Sequence, residues 1–250
     1  MGQNGTVVKL LLFDVDGTLV LTGGAGVRAM NRAFQDVFGV ADAFRGIPMA
    51  GRTDPAILAE GLRNAGLQPR DGEIASFEQR YLSLLEEEIL APAQPRPVMP
   101  HVSPFKGALP GVTELVARLA MHDGMFLALL TGNYSAGAKI KLAHFDIWAP
   151  FRCGAYGEDA ALRHELVPVA LARAQAAGLA STALHHTVII GDTPLDVECA
   201  HRAGVACVAV ATGGHDASEL RQAGADVVFD DLTDTGRVVA ALESGTPRSR

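Results

Sequence analysis

Three short segments of the 250-residue chain carry the residue types and spacings that can do chemistry: Asp14-Val15-Asp16-Gly17-Thr18, Thr131-Gly132-Asn133 and Gly191-Asp192-Thr193-Pro194-Leu195-Asp196. Each closes an apolar run of the kind that forms a buried parallel strand. In an open parallel sheet, ligands sit beyond the carboxyl ends of the strands, so these segments are expected to meet in one cleft. Carboxylates gathered there repel one another unless a cation or a proton holds them. Hard carboxylate oxygens beside turn backbone favour magnesium, which shares its shell with water and substrate phosphate. Thr131 and the amides that open the next helix would offer donors to an anion.

That set is complete for phosphoryl transfer through an aspartyl phosphate. A carboxylate nucleophile splits a difficult hydrolysis into two steps. A second carboxylate two residues on can protonate the leaving oxygen and then deprotonate the attacking water. A magnesium ion and neighbouring donors balance charge on the transferring group. Phosphate monoesters need up to ~10²¹-fold acceleration, most of it from electrostatic positioning.

The elements that must position these groups are legible as apolar runs at 7–13, 126–131, 187–192, 205–210 and, more weakly, 226–229. Helical patterns at 111–122, 135–144, 164–178, 196–203 and 217–223 lie between them. Strands alternating with helices predict right-handed crossovers and an α/β fold built on a doubly wound parallel sheet. Residues 21–104 break the alternation: helical periodicity at 26–38, 55–65 and 72–90, no convincing strand, and a proline-rich hinge at 91–100. A helical insert directly after the first strand is a candidate lid over that strand's carboxyl end. The polar tail at 244–250 is expected to fray.

Composition is that of a globular chain, too apolar for a disordered one and too mixed for a fibrous one. The chain is 48% hydrophobic and 20% charged, and 21 basic against 28 acidic side chains leave a net charge of -7. That balance argues against a nucleic-acid partner, though not against a small phosphorylated one, because a local site can oppose the global sign. The N-terminal apolar run is too short to span a bilayer, so no membrane association is expected. Cys153, Cys199 and Cys207 have no paired spacing, which points to buried thiols, a reducing interior and a cytoplasmic location.

Phe13-Asp14-Val15-Asp16-Gly17-Thr18-Leu19-Val20 resembles the first signature of the haloacid-dehalogenase-like (HAD) hydrolases, Leu130-Thr131-Gly132-Asn133 the second, and the segment from Gly191 to Asp196 the fourth. Gly51-Arg52-Thr53-Asp54 and the ending around Glu219-Leu220 and Gly224-Ala225-Asp226 resemble the phosphoglycolate-phosphatase-like branch. The resemblance implies a Rossmann-like core of residues 1–20 and 105–250 with a smaller helical cap domain at 21–104. It also implies a magnesium-dependent phosphatase acting on a small phosphorylated metabolite, with phosphoglycolate the first guess. Asp14 would be the nucleophile and Asp16 the acid/base. Thr131 would bind the phosphoryl group, with Gly132 and Asn133 beside it. Magnesium would rest on Asp14, Asp192, the Asp16 backbone carbonyl and Asp196, the last as ligand or as support behind the ligands.

The lysine usual in the family's third signature is missing. Arg163 stands about where it belongs and can take the charge-neutralising role, with a bidentate grip that lysine lacks. Otherwise Lys139 or Lys141 would have to reach in. Arg52 could read a second anionic group of the substrate or be a solvated lid residue. Two alternatives share the aspartyl-phosphate chemistry: a phosphosugar mutase similar to β-phosphoglucomutase, and a non-catalytic phosphate-binding relative. Asp16 disfavours dehalogenation and phosphonate cleavage. Monomer and homodimer both remain open.

Overall fold

A computed structural model describes residues 8–92, 102–179 and 184–244. In chain order the strands are β1 (Lys9–Phe13), β2 (Val20–Thr22), β3 (Lys106–Ala108), β4 (Met125–Leu130), β5 (Gly154–Ala155), β6 (Thr187–Gly191), β7 (Ala206–Val210) and β8 (Val227–Phe229). The helices are α1 (Ala25–Phe38), α2 (Asp54–Asn64), α3 (Glu73–Leu90), α4 (Val112–Ala120), α5 (Ser135–His144), α6 (Leu166–Ala176), α7 (Pro194–Ala203), α8 (Ala217–Gln222) and α9 (Thr235–Ser244).

Six strands form one parallel sheet in the order β5-β4-β1-β6-β7-β8. The continuous apolar sequence of β1 is explained by its place in the middle, where both faces are covered. Leu11 and Phe13 face one side with α4 and α9 residues such as Leu115 and Val238, while Leu10 and Leu12 face the other with Leu166, Ala170 and Val197 from α6 and α7. Register pairs Phe13 with Leu129 on one side and Ile190 on the other. The first polar residues past these strands, Asp14, Thr131 and Asp192, therefore leave the sheet within one residue of the same level.

The insert packs around a cluster of its own, in which Phe34, Phe44, Phe77 and Tyr81 interleave with Leu58 and Leu84. Its two ends are joined by the antiparallel ribbon β2–β3, with Leu21 opposite Gly107. The end of β2 corrects the expectation of no strand in residues 21–104, and β3, just beyond that interval, is a strand the sequence did not signal. The two-residue edge strand β5 was also unforeseen, being too short for any periodicity to register. So was α9, whose apolar positions Val238, Val239 and Leu242 follow an acidic stretch and gain meaning only against α4. Most of the proline-rich hinge (93–100) and of the polar tail (245–250) lies outside the described residues. Among the described residues, no helix is long and apolar enough to cross a membrane.

Candidate active site

The turn after β1 is built for close approach. Gly17 sits at φ 83°, in the region that favours glycine, and its N–H donates to the Val20 carbonyl. A Cβ on Gly17, or on Gly213 in the loop after β7, would run into the Asp192 carboxylate. Asp192 thus lies cradled between two glycines, and Thr18 Oγ1 donates to its Oδ1 at 3.0 Å. Asp14, Asp192 and Asp196 are all buried, and each places a carboxylate oxygen within 4.8 Å of the others.

Burial pushes the Asp14 carboxyl up to about 6, against the pull of Arg163, with the charges of Asp196 and Asp16 adding to the rise. Burial, then the charges of Asp196 and Asp14, holds Asp192 well above the ordinary carboxylate range. Acid groups so placed need a proton or a cation. An all-oxygen set of buried carboxylates fits a hard divalent cation such as magnesium.

Asp196 is differently committed. It closes a capping box at the start of α7: its Oδ2 accepts from the Thr193 N–H at 3.0 Å and the Thr193 hydroxyl at 2.7 Å. Its Oδ1 accepts from Arg163 Nη2 at 2.6 Å. Arg163 begins a short 3-10 turn before α6 and is 9% exposed at its side chain. The same Nη2 lies 3.1 Å from Asp14 Oδ1. Burial alone would lower the guanidinium's affinity for its proton, but the carboxylates of Asp14 and then Asp196 outweigh it and hold that affinity above normal. The arginine therefore stands beside the nucleophile candidate.

A second cation reaches the site as well. Lys141, on the second turn of α5, places Nζ 2.6 Å from Asp16 Oδ2 and 2.6 Å from Asn133 Oδ1. Asn133 Nδ2 in turn donates to Asp16 Oδ2 and to Thr131 Oγ1, both at 2.8 Å. Sequence reasoning held Lys141 only in reserve for the place that Arg163 fills. The available signal was its position: it shares the buried stripe of α5 with Gly137 and Ala138, where an unpaired lysine is rarely tolerated.

The insert closes over these groups. The Asp54 N–H donates to the Gly132 carbonyl at 2.7 Å, and Asp54 Oδ2 accepts from the Tyr134 N–H at 2.9 Å. A Cβ on Gly132 would strike the Arg52 carbonyl, so only glycine lets the two loops touch. Burial pushes the Asp54 carboxyl up to about 7, with Lys141 opposing the rise. Between insert and sheet lies a cavity of about 230 Å³. Its floor holds Asp14, Asp16, Thr131, Gly132, Asn133, Arg163 and Asp192, while Val27, Met30, Met49, Ile57 and Tyr81 form much of the roof. Arg52 also reaches the cavity wall, but its guanidinium is paired with Glu60 at 2.7 Å and donates to the Pro48 carbonyl. Of the expected site residues, only Asp196 does not line the cavity; it stands behind Arg163.

Residues 166–235 match the family described as HAD-hydrolase-like. The chain is 29% identical over 241 residues to the "Probable phosphatase IndB" of Dickeya dadantii (strain 3937), covering 93% of this chain and 94% of that one. Among solved structures it resembles CbbY from Rhodobacter sphaeroides in complex with phosphate, with a TM-score of 0.68, 21% identity, and coverage of 92% of this chain and 97% of the other. It also resembles a structure described as a predicted phosphoglycolate phosphatase from Haemophilus somnus 129PT, with a TM-score of 0.64, 21% identity, and coverage of 93% and 98%.

Proposed function

We propose that the chain is a haloacid-dehalogenase-like hydrolase, a magnesium-dependent phosphatase that hydrolyses a small phosphorylated metabolite through a phosphorylated Asp14; the match of residues 166–235 to the HAD-hydrolase-like family supports this. The observation that carries this reading is the placement of Asp14 at the floor of the cavity between insert and sheet, with Arg163 3.1 Å away and Asp16 lining the same cavity. The curated relative's phosphatase name supports it.

Asp14 attacks phosphorus in line with the departing ester oxygen, and Asp16 hands that oxygen its proton. Water then attacks phosphorus and gives a proton to Asp16, while the Asp14 carboxylate departs and is restored. Arg163 and Thr131, with the N–H groups of the 131–133 turn, hold the equatorial oxygens. Magnesium would rest on Asp14, Asp192 and the Asp16 carbonyl, and it supplies charge neutralisation at the phosphoryl group when bound. Asp196 acts behind these groups as the anchor of Arg163, a role that its three accepted hydrogen bonds favour over direct ligation.

Residues 21–104 act as the cap, whose closure excludes bulk water. The cavity volume of about 230 Å³ suits a small ester. It lies below the roughly 300–1,000 Å³ of drug-sized sites. Phosphoglycolate is the first candidate, with Arg52 the residue that could meet its carboxylate once released from Glu60.

The deciding experiment is phosphate release from a panel of phosphorylated metabolites, phosphoglycolate and a hexose 1-phosphate included, with magnesium and with chelator. Magnesium-dependent turnover of one or a few small esters, abolished by Asp14→Asn, is the expected result. Turnover that survives Asp14→Asn would remove the nucleophile assignment. Isomerisation of the hexose phosphate without phosphate release would replace the phosphatase by a mutase.

A further inference from the structure

The two buried cations of the site divide their work between the two carboxylates of the first turn. Arg163 meets Asp14, and Lys141 meets Asp16. Lys141 is only 6% exposed at its side chain, whereas Asp16 remains 41% exposed at the cavity wall. Helical side chains lean toward the helix N-terminus, so a lysine on the second turn of α5 can reach back to the loop that precedes the helix. Gly26 of the insert packs beside the ammonium: a Cβ there would lie 3.6 Å from Lys141 Nζ, in ordinary van der Waals contact. The ammonium and the Asn133 amide both grip the same oxygen, Asp16 Oδ2. Asn133 is itself tied to Lys141 through its Oδ1, so the three groups lock one another. A long side chain buried at the cost of its hydration and rotamer freedom must meet defined partners, and here they are one oxygen of the Asp16 carboxylate and the Asn133 amide oxygen.

We infer that Lys141 is the positioning residue for proton transfer. By fixing Oδ2 of Asp16 it presents the other oxygen, Oδ1, to the bridging oxygen of the ester and later to the attacking water. The inference rests on the reading of Asp16 as the acid/base in the proposed function. In the first step the Asp14–phosphorus bond forms, the bond from phosphorus to the ester oxygen breaks, and the proton on Oδ1 passes to the departing oxygen. In the second step water oxygen bonds to phosphorus, its proton passes to Oδ1, and the Asp14 oxygen leaves with the electron pair. Lys141 donates no proton in either step. It sets the angle from which Asp16 does so.

The test compares Lys141→Met and Lys141→Arg with the parent enzyme in saturating magnesium, using kcat/KM on two esters. One is p-nitrophenyl phosphate, whose leaving group departs without a proton; the other is the best alkyl phosphate from the metabolite panel, whose leaving group needs one. Positioned acid catalysis contributes on the order of 10²–10⁴-fold. Lys141→Met is therefore expected to lose at least about 100-fold on the alkyl ester and less than about 10-fold on p-nitrophenyl phosphate, with Lys141→Arg recovering part of the alkyl activity. Equal losses on both esters would mean that Lys141 serves phosphoryl binding or folding, and unchanged activity on both would mean that it serves neither; either result overturns the inference. If Lys141→Met does not fold, the ratio between the two esters for Lys141→Arg decides. Failure of the parent enzyme on every ester would instead bring down the phosphatase reading, an outcome separate from any behaviour of the variants.

Discussion

Arg163 Nη2 donates to Asp196 Oδ1 across 2.6 Å while lying 3.1 Å from Asp14 Oδ1, so one guanidinium nitrogen joins the first residue past β1 to the first turn of α7. Three conditions meet at that nitrogen: a buried cation, a capping carboxylate with no other freedom, and the proposed nucleophile. The same guanidinium donates through Nη1 to the Gly51 carbonyl of the insert, at 3.1 Å. Arg163 is therefore also a contact between sheet and insert.

Replacing Arg163 tests this junction. Arg163→Ala leaves Asp14 and Asp196 facing each other without their cation, and removing one partner of a buried pair costs about 3–5 kcal/mol. A clear fall in the melting temperature is expected, together with a loss of at least about 100-fold in kcat/KM, the scale of removing a positioned charge-stabilising donor. Arg163→Lys keeps the charge but loses the second nitrogen that donates to the Gly51 carbonyl, and it is expected to fall between parent and Arg163→Ala in both readouts. A melting temperature equal to the parent's in Arg163→Ala would show that the junction carries no stability.

Magnesium binding should be visible without turnover. A ligand that binds only the folded state at 100 times its Kd adds about 2.7 kcal/mol. For a chain of this size that raises the melting temperature by roughly 5–10 °C. Asp192→Asn is expected to abolish most of the shift, because it removes a carboxylate from the cradle formed by Gly17 and Gly213. An undiminished shift in Asp192→Asn, measured by calorimetry, would place the ion elsewhere.

Gly132→Ala probes the docking of the insert. The added methyl would meet the Arg52 carbonyl, and neither that backbone nor the Thr53 backbone beside it can yield without moving the loop. The hydrogen bond from the Asp54 N–H to the Gly132 carbonyl is then expected to break. The sheet should survive, since the Gly132 backbone itself needs no unusual dihedral. Rates should fall at least about 10-fold, because sub-ångström to 1 Å misplacements near a reacting centre can cost up to about 100-fold. Amide hydrogen exchange should rise at 50–56 while β1 and β4 stay protected. Exchange unchanged at 50–56 would show that the loop docks without this contact.

Asp54 should make stability depend on pH in an unusual direction. Burial pushes its carboxyl up to about 7; the Lys141 charge opposes this, and those of Asp16 and Glu158 add to it. A carboxyl whose folded pKa lies above its unfolded value of about 4 binds its proton more tightly in the folded state. Its contribution is fully present below about pH 4 and is lost as the pH rises through about 7. Asp54→Asn cannot ionise and escapes that loss, while its side-chain oxygen can still accept from the Tyr134 N–H. The melting temperature of the variant minus that of the parent should therefore increase between pH 5 and pH 8. A difference that stays flat or decreases over that range would refute the assignment.

Local signals account for the agreement between sequence and structure. The insert helix read at 72–90 forms at Glu73–Leu90, because its apolar residues recur at helical spacing over five turns and Gly72 gives it a left-handed start. The strand ends that carry Asp14, Thr131 and Asp192 are legible because a parallel strand buried on both faces must be apolar throughout, so the first polar residues mark its carboxyl end. Where the signal is not local it fails. The edge strand β5 is two residues long and owes its existence to pairing with β4 at Leu129 and Leu130. The ribbon β2–β3 joins segments more than 80 residues apart, and neither of its three-residue strands shows an alternation of its own.

The sequence by itself determined the strand-and-helix alternation, the helical insert, the sheet level at which the polar residues gather, and the acidic, all-oxygen character of the site. Each of these follows from residue type and spacing within a few turns of the chain. Only the tertiary structure decided which cation faces which carboxylate. Lys141 and Asp16 are 125 positions apart, and Arg163 and Asp196 are 33. Both cations come from helical turns beyond the strand ends, and their reach depends on how those turns pack against the sheet. Charge pairing at 2.6 Å is a property of distances across the fold, and no spacing along the chain encodes it directly.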